Sequence, residues 1–297
     1  MILVTGAAGK TGRAVVRALA SRGGAVRALV HKPEQVELLR TLGAQEVLVG
    51  DMLSQVFFEQ ATRGIQSVYH ICPNVDPYET VIGAFAIQAA RHAGVEHFVY
   101  HSVLHPQTEN MPHHWKKMRV EELLLESGLG FTILQPTIYM QNVLAYWDRI
   151  MGEHVYAVPY PVGTRLSMVD LDDVAEAAAV VLTQPGHLAA IYELVGCAPI
   201  SQTELAQTLS ETLGFSVQAE ALPLDQWENQ ARLLGIGDYQ VETLLKMFQY
   251  YERFGMQGNP QALTWLLGRK PADFAGFIDC TARRQLKVHA ETRAEKG

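Results

Sequence analysis

Three glycines spaced three residues apart stand where a chain can cradle phosphate. Residues 1–5 have the apolar run of a buried strand, and Gly6-Ala7-Ala8-Gly9-Lys10-Thr11-Gly12 follows at once. Beyond the loop comes an amphipathic stretch with Val15, Val16 and Leu19 on one face. Such a loop needs glycine for a sharp turn out of the strand. It also needs glycine so that backbone N–H groups can approach a pyrophosphate at the helix N-terminus. Gly6, Ala8, Gly9, Lys10, Thr11 and Gly12 are therefore candidate dinucleotide-binding residues. The spacing is G-x-x-G-x-x-G, and its weight comes from its position between a strand and a helix. A Walker-type loop is excluded, because the full G-x-x-x-x-G-K-[ST] pattern is not met: Val4, not glycine, stands five residues before Gly9 of Gly9-Lys10-Thr11.

The end of the second expected strand bears on which dinucleotide is held. An NAD-preferring site carries Asp or Glu there, to accept from the ribose hydroxyls and repel a 2′-phosphate. Here the stretch reads Val30-His31-Lys32-Pro33, without an acid. Lys32, and His31 when protonated, can pair with a 2′-phosphate, which points to NADP(H); the alternative is that Lys32 is a solvated turn residue. Asp51, followed by Met52, stands where such folds approach the adenine, or else caps a helix. His101, His105, His113 and His114 cluster in sequence but fall on strand, loop and helix without matching carboxylates, so no metal is expected. No Gly-x-Ser-x-Gly elbow is present, which removes a simple hydrolase.

The elements that must hold these residues alternate strand and helix, the pattern of a parallel sheet covered on both faces. Strands are expected at 1–5, 25–30, 46–49, 67–72, 97–102 and 131–135. Helices are expected at 12–22, 33–42, 57–61, 77–93 and 115–126, with Gly43 and Gly94 as left-handed C-terminal caps. Asp172-Asp173 reads as an N-cap for a helix over 174–182, and Ser201 with Glu204 as a capping box. Further helices are expected at 227–234, 240–254 and 260–267, and the last ten residues are polar and expected to fray.

Bulk properties narrow the function classes. At 297 residues, 48% hydrophobic and 19% charged, the chain suits one large α/β domain carrying a smaller lobe. A formal net charge of −7 without a long basic run argues against a nucleic-acid groove. The most apolar stretch, 175–182, is far short of the ~20 residues of a membrane span. The three cysteines, Cys72, Cys197 and Cys280, are widely separated and read as reduced thiols. With no signal-peptide pattern at the start, the expected location is the cytoplasm.

Taken with further stretches, these residues resemble the NmrA-like family, an atypical branch of the extended short-chain dehydrogenase/reductases. The resemblance runs through residues 5–12, Gly50-Asp51, Lys117-Met118-Arg119-Val120-Glu121, Ser127-Gly128-Leu129, residues 132–136, Tyr139-Met140-Gln141-Asn142, residues 169–175 and Leu266-Leu267-Gly268-Arg269-Lys270-Pro271. It implies a Rossmann-type doubly wound parallel sheet with a smaller C-terminal lobe and a substrate cleft between them. The family includes quinone and dye reductases, and also NADP(H)-binding sensors that act as transcriptional co-regulators.

Ordinary members of the superfamily use a Tyr-x-x-x-Lys pair on one helix face, with a serine at the end of the fifth strand. By that resemblance Lys117 takes the ribose-holding position, and His113 stands in place of the tyrosine. Ser102 ends the fifth strand. His113 is then either a proton donor with a pKa near neutrality or a polar residue at the cleft mouth. Gln135 stands where many relatives carry arginine. Pro136, Thr137, Tyr139 and Asn142 follow the sixth strand, a natural place for contacts to nicotinamide and substrate. Tyr139, Tyr146 and Trp147 offer either a flat aromatic surface or core packing.

The expected organisation is a NAD(P)-binding domain over 1–154, with 167–194 returning to it, and a substrate or partner lobe over 195–297. The expected function is NADPH-dependent reduction of a quinone-like or conjugated carbonyl compound by hydride transfer. The alternative is an NADP(H)-binding redox sensor that contacts a regulatory protein. Either would be a monomer or homodimer.

Overall fold

The computed structural model describes residues 1–283. Its first strand, β1 (Ile2–Val4), is apolar throughout because both of its faces are covered: Ile2 and Val4 enter one core and Leu3 the other. Strands β2 (Val26–Val30), β3 (Glu46–Val49), β4 (Ser67–His70), β5 (His97–His101) and β6 (Phe131–Pro136) follow. They alternate with α1 (Lys10–Ser21), α2 (Val36–Thr41), α3 (Gln55–Ala61), α4 (Glu79–His92) and α5 (Pro112–Leu125). The first turn of the helix expected at 33–42 is a separate 3-10 segment, Pro33–Gln35.

After β6 the chain enters short elements: β7 (Ile138–Tyr139), a 3-10 segment (Met140–Tyr146), α6 (Trp147–Glu153), β8 (Val155–Val158), β9 (Arg165–Leu166) and β10 (Met168–Val169). It returns through α7 (Leu171–Thr183) to β11 (Ala190–Leu194). Then come β12 (Ile200–Ser201), α8 (Gln202–Leu213), β13 (Gln218–Ala221), α9 (Leu224–Leu233), α10 (Asp238–Phe254) and α11 (Gln261–Leu267).

The main sheet has seven parallel strands in the order β11-β6-β5-β4-β1-β2-β3. This is the doubly wound α/β arrangement expected from sequence. Strand order reverses at β1, which pairs with β2 on one side and β4 on the other. Loops leaving β1 and β4 therefore part in opposite directions and open a crevice at their C-terminal ends. One face is packed by α1 and α7 together with Leu263 and Leu266 of α11; the other is packed by α3, α4 and α5. A third core joins Met140, Val143, Ile150, Tyr156, Leu205 and Phe277, and a fourth joins Leu104 and Met111 to Phe248, Tyr251 and Met256.

Several local readings change. β11 was not expected as a strand; it is an edge strand with only Leu194 fully buried, so its sequence lacks an unbroken apolar run. The cap of α7 is Asp170, whose carboxylate accepts from the Asp172 N–H at 2.9 Å, and not the Asp172-Asp173 pair. Asp51 does not cap α3, because Ser54 accepts from the Phe57 N–H at 3.3 Å. The capping box of Ser201 and Glu204 forms as expected. Gly43 and Gly94 both take positive φ at helix ends. The last ten residues, expected to fray, lie outside the described residues, and no described helix is long and apolar enough to cross a membrane.

Asp173 is freed from capping for another task. It is 3% exposed and accepts from Arg269 Nη2 at 2.7 Å and from the Ala272 N–H at 2.6 Å, tying the turn after α11 to α7. Asp173→Ala is expected to lower stability by about 2 kcal/mol, the usual worth of hydrogen bonds to a buried charge. Urea unfolding should show a lower midpoint at an unchanged slope; an unchanged midpoint would remove this tie from the fold.

Candidate active site

The glycine loop lies at the crevice. Gly6 has φ +55°, and a Cβ added there would meet the Ile71 carbonyl oxygen at 2.8 Å. At Gly12 a Cβ would lie 2.3 Å from the Gly6 carbonyl oxygen and 2.6 Å from Ala7 Cα, so only glycine lets α1 approach its own loop. Gly9 precedes α1 in an extended conformation and supplies no side-chain cap, and the first turn carries no acidic residue. Its backbone N–H groups and the positive end of the helix dipole are thus arranged for an anion. Ala8, Lys10 and Thr11 belong to this loop and first turn, and Thr11 Oγ1 lies 3.5 Å from Tyr139 Oη.

His31 and Lys32 are exposed just beyond β2, and the Lys32 N–H donates to Gln35 Oε1 at 3.0 Å. Asp51, exposed past β3, accepts from the Leu53 N–H at 2.9 Å, while Met52 packs against the core under the sheet. Pro136 ends β6, and its carbonyl accepts from the Leu104 N–H at 2.9 Å. Asn142 is exposed on the following 3-10 segment. Tyr146 and Trp147 are partly buried against the third core, with the Tyr146 and Tyr156 rings 5.8 Å apart.

β4 and β5 each end in Val-Tyr-His, and their alternation sends these polar residues to opposite faces of one sheet edge. On the α1 side, His101 bridges Tyr69 Oη at 2.5 Å and Tyr139 Oη at 2.7 Å. That file of polar groups continues to Thr11. On the α5 side, Tyr100 Oη donates to Glu79 Oε1 at 2.8 Å, and Lys117 Nζ donates to the same oxygen at 3.1 Å. Lys117 Nζ also lies 3.3 Å from the His101 carbonyl oxygen, and 5.4 Å from the centre of the Tyr100 ring. Glu79 is 3% exposed, so this is a buried ion pair.

Ser102 is brought to the end of β5, but its hydroxyl donates to Glu121, the residue one helical turn beyond Lys117. Gln135 donates to both Glu121 oxygens, at 3.0 and 3.1 Å. Gln135 is thus committed to a buried carboxylate, with its side-chain N–H groups directed at Glu121. Burial raises the Glu121 pKa, opposed by these hydrogen bonds and by Lys117.

His113 lies on the same face of α5 as Lys117, with its ring 4.5 Å from that of His114. The expectation of a pKa near neutrality is corrected: burial, then His114 and Lys117, pull it down to about 3. Its Nδ1 is buried without a hydrogen-bond partner. Burial and Lys117 likewise pull His70 and His101 to about 3. Among the described residues no group of three or more His, Cys, Asp or Glu side chains is arranged to hold a metal ion. Left-handed backbones at Val75 (φ 50°) and His105 (φ 54°) occur in the loops after β4 and β5, and strain of this kind gathers around functional sites.

Sequence reasoning missed Glu79, Tyr69, Tyr100 and Glu121. The signal was present in the paired Val-Tyr-His endings, since polar residues closing buried strands of a doubly wound sheet face the crevice.

A buried, partly charged lining beside an anion-ready helix end defines a nucleotide-binding α/β protein with a polar site along one edge of the sheet. The sequence profile of the NmrA-like family matches residues 1–283, and the chain belongs to that family. It is 29% identical to an NAD(P)H azoreductase of Xenophilus azovorans, over 95% of this chain and 98% of that one. The crystal structure of an Escherichia coli NADPH-dependent quinone oxidoreductase complexed with NADPH superposes with a TM-score of 0.82. Its identity is 25%, covering 95% of this chain and 99% of that one. NmrA, a negative transcriptional regulator solved with NAD, shares the fold at 17% identity and a TM-score of 0.76, over 97% of each chain.

The low histidine pKa values set a pH dependence. His70, His101 and His113 bind a proton less readily folded than unfolded, so between about pH 3 and 6.5 the unfolded chain takes up more protons. Their contribution to stability is complete above pH 6.5 and is lost as pH falls, by up to about 1.4 kcal/mol per pH unit for each ring. Imidazole nitrogen shifts at about pH 5.5 should report three neutral rings. Protonation of any of them in the native state at that pH would contradict their burial.

Proposed function

We propose that the protein is an NADPH-dependent oxidoreductase that transfers hydride to a quinone-like or other conjugated carbonyl compound. The observation that carries this reading is the alignment of two features along one sheet edge. These are a glycine cradle with no room for a Cβ at the uncapped end of α1, and Lys117 fixed between the end of β5 and the start of α4. The similarity to an azoreductase and a quinone oxidoreductase, each over nearly the whole chain, supports the same class.

The cradle fits a dinucleotide. Gly6, Ala8, Gly9, Lys10, Thr11 and Gly12 would receive its pyrophosphate, and His31 and Lys32 a 2′-phosphate, with Asp51 and Met52 beside the adenine. Lys117 would hold the nicotinamide ribose, and Pro136, Tyr139 and Asn142 would border the nicotinamide. The bound cofactor supplies a hydride. Residues 1–154 with 167–194 would serve as the cofactor domain, and the remaining C-terminal part as the substrate lobe.

His113 serves here as a neutral ring. A group with a pKa near 3 carries almost no proton to give at neutral pH, so we assign it hydrogen bonding to a substrate oxygen. The proton that completes reduction then comes from solvent, which suits electron-poor acceptors better than simple ketones. Ser102, held by Glu121, shapes the floor behind the site. Leu104 and Met111 anchor the β5–α5 loop to the lobe against Phe248 and Tyr251, which sets the substrate side of the cleft.

Purified protein should oxidise NADPH faster than NADH in the presence of simple quinones. Lys117→Ala should lower kcat/KM by about 100-fold, as expected for a lost positioning contact. Absence of turnover across quinones and azo dyes, with NADPH still bound, would overturn the reductase reading in favour of a sensor. Equal or faster use of NADH would overturn the cofactor preference.

A further inference from the structure

Lys117 is not a free cation. Its ammonium shares Glu79 Oε1 with the Tyr100 hydroxyl, and its other protein partner is the His101 carbonyl oxygen. The lysine side chain is 15% exposed and the glutamate side chain 4%. Glu79 is the first residue of α4, where a carboxylate also meets the positive end of the helix dipole. It is 38 residues from Lys117 in sequence, and only packing of α4 against α5 brings them together. Of the other titratable groups around them, His70, His101 and His113 are held neutral and burial pushes the Cys72 thiol well up. Two further carboxylates lie nearby: half-buried Asp76, and Glu121, whose oxygens are committed to Ser102 and Gln135.

This matters because an oxidised nicotinamide carries a positive charge that a reduced one lacks. A bare buried ammonium beside the ribose would repel the oxidised cofactor selectively, and in a water-poor site such repulsion is weakly screened. Resting on the cofactor role proposed for Lys117, we propose that Glu79 is a positioning and charge-compensating residue. It fixes the lysine ammonium and cancels its charge, so that the protein binds oxidised and reduced NADP with balanced affinity. Lys117 then keeps its hydrogen-bonding function toward ribose hydroxyls without biasing the site against the product form of the cofactor. A lysine without a buried partner would meet the first need and fail the second.

The test is a pair of binding titrations, NADPH and NADP⁺, read by nucleotide or tryptophan fluorescence without substrate. Glu79→Gln removes the charge but keeps the shape, and should weaken NADP⁺ relative to NADPH by about tenfold or more. Lys117→Met exposes the cofactor to the carboxylate alone and should move the ratio in the opposite direction, even if both affinities fall. The double variant Glu79→Gln/Lys117→Met should return the ratio to within about twofold of the parent. A purely structural role would weaken both forms together and leave the ratio unmoved, which would overturn the proposal. Should Glu79→Gln not fold, the direction of the Lys117→Met shift decides alone. If the parent protein binds neither form, the cofactor reading fails and this inference with it; if it binds both and no variant moves the ratio, only this inference fails.

Discussion

Helix α1 reaches the end of β1 only because position 12 has no side chain. A Cβ there would sit 2.3 Å from the Gly6 carbonyl oxygen, a backbone atom fixed by the strand before it. The contact brings the first turn of the helix to the point where strand order reverses between β2 and β4. A helix end carries four N–H groups without partners in the helix and a partial positive charge. At the reversal point these groups face a crevice rather than a neighbouring strand. The left-handed turn at Gly6, the close packing at Gly12 and the missing side-chain cap at Gly9 all serve this one arrangement.

The same crevice imposes a cost on the strands that border it. β4 and β5 are buried, yet each ends in Tyr-His, and polar groups in such a place must find partners. On one face His101 is spanned by two tyrosine hydroxyls; on the other Tyr100 and Lys117 converge on Glu79. Removing one member of a buried ion pair generally costs about 3–5 kcal/mol, because the other is left uncompensated. Neutral histidines, the Lys117–Glu79 ion pair and the Glu121 carboxylate held by Ser102 and Gln135 give the site many hydrogen-bonding groups. That is a suitable lining for chemistry in which charge changes on the bound cofactor rather than on the protein.

What the sequence made legible was local. The cradle is read from seven consecutive residues, and the Ser201–Glu204 box from four, because chain neighbours alone determine their geometry. The positions of Lys117 and His113 on one face of α5 follow from helical spacing. Their environment does not. Glu79 meets Lys117 across 38 residues, and Ser102 meets Glu121 across 19, through helix packing that no short pattern encodes. The His113 pKa went astray for the same reason, since its cause is burial between α5 and its neighbours. β11 escaped notice because an edge strand with one fully buried side chain leaves little apolar pattern, and Asp173 misled because a carboxylate near a helix start can either cap it or turn inward to an arginine.

Hydrogen–deuterium exchange with and without NADPH tests most directly whether the uncapped end of α1 is a dinucleotide site. Saturating NADPH should slow exchange at residues 6–13, where backbone N–H groups would bind pyrophosphate, and at residues 137–142, which under the proposed binding mode would border the nicotinamide. Unchanged exchange in the glycine loop, or protection confined to the C-terminal lobe, would contradict it.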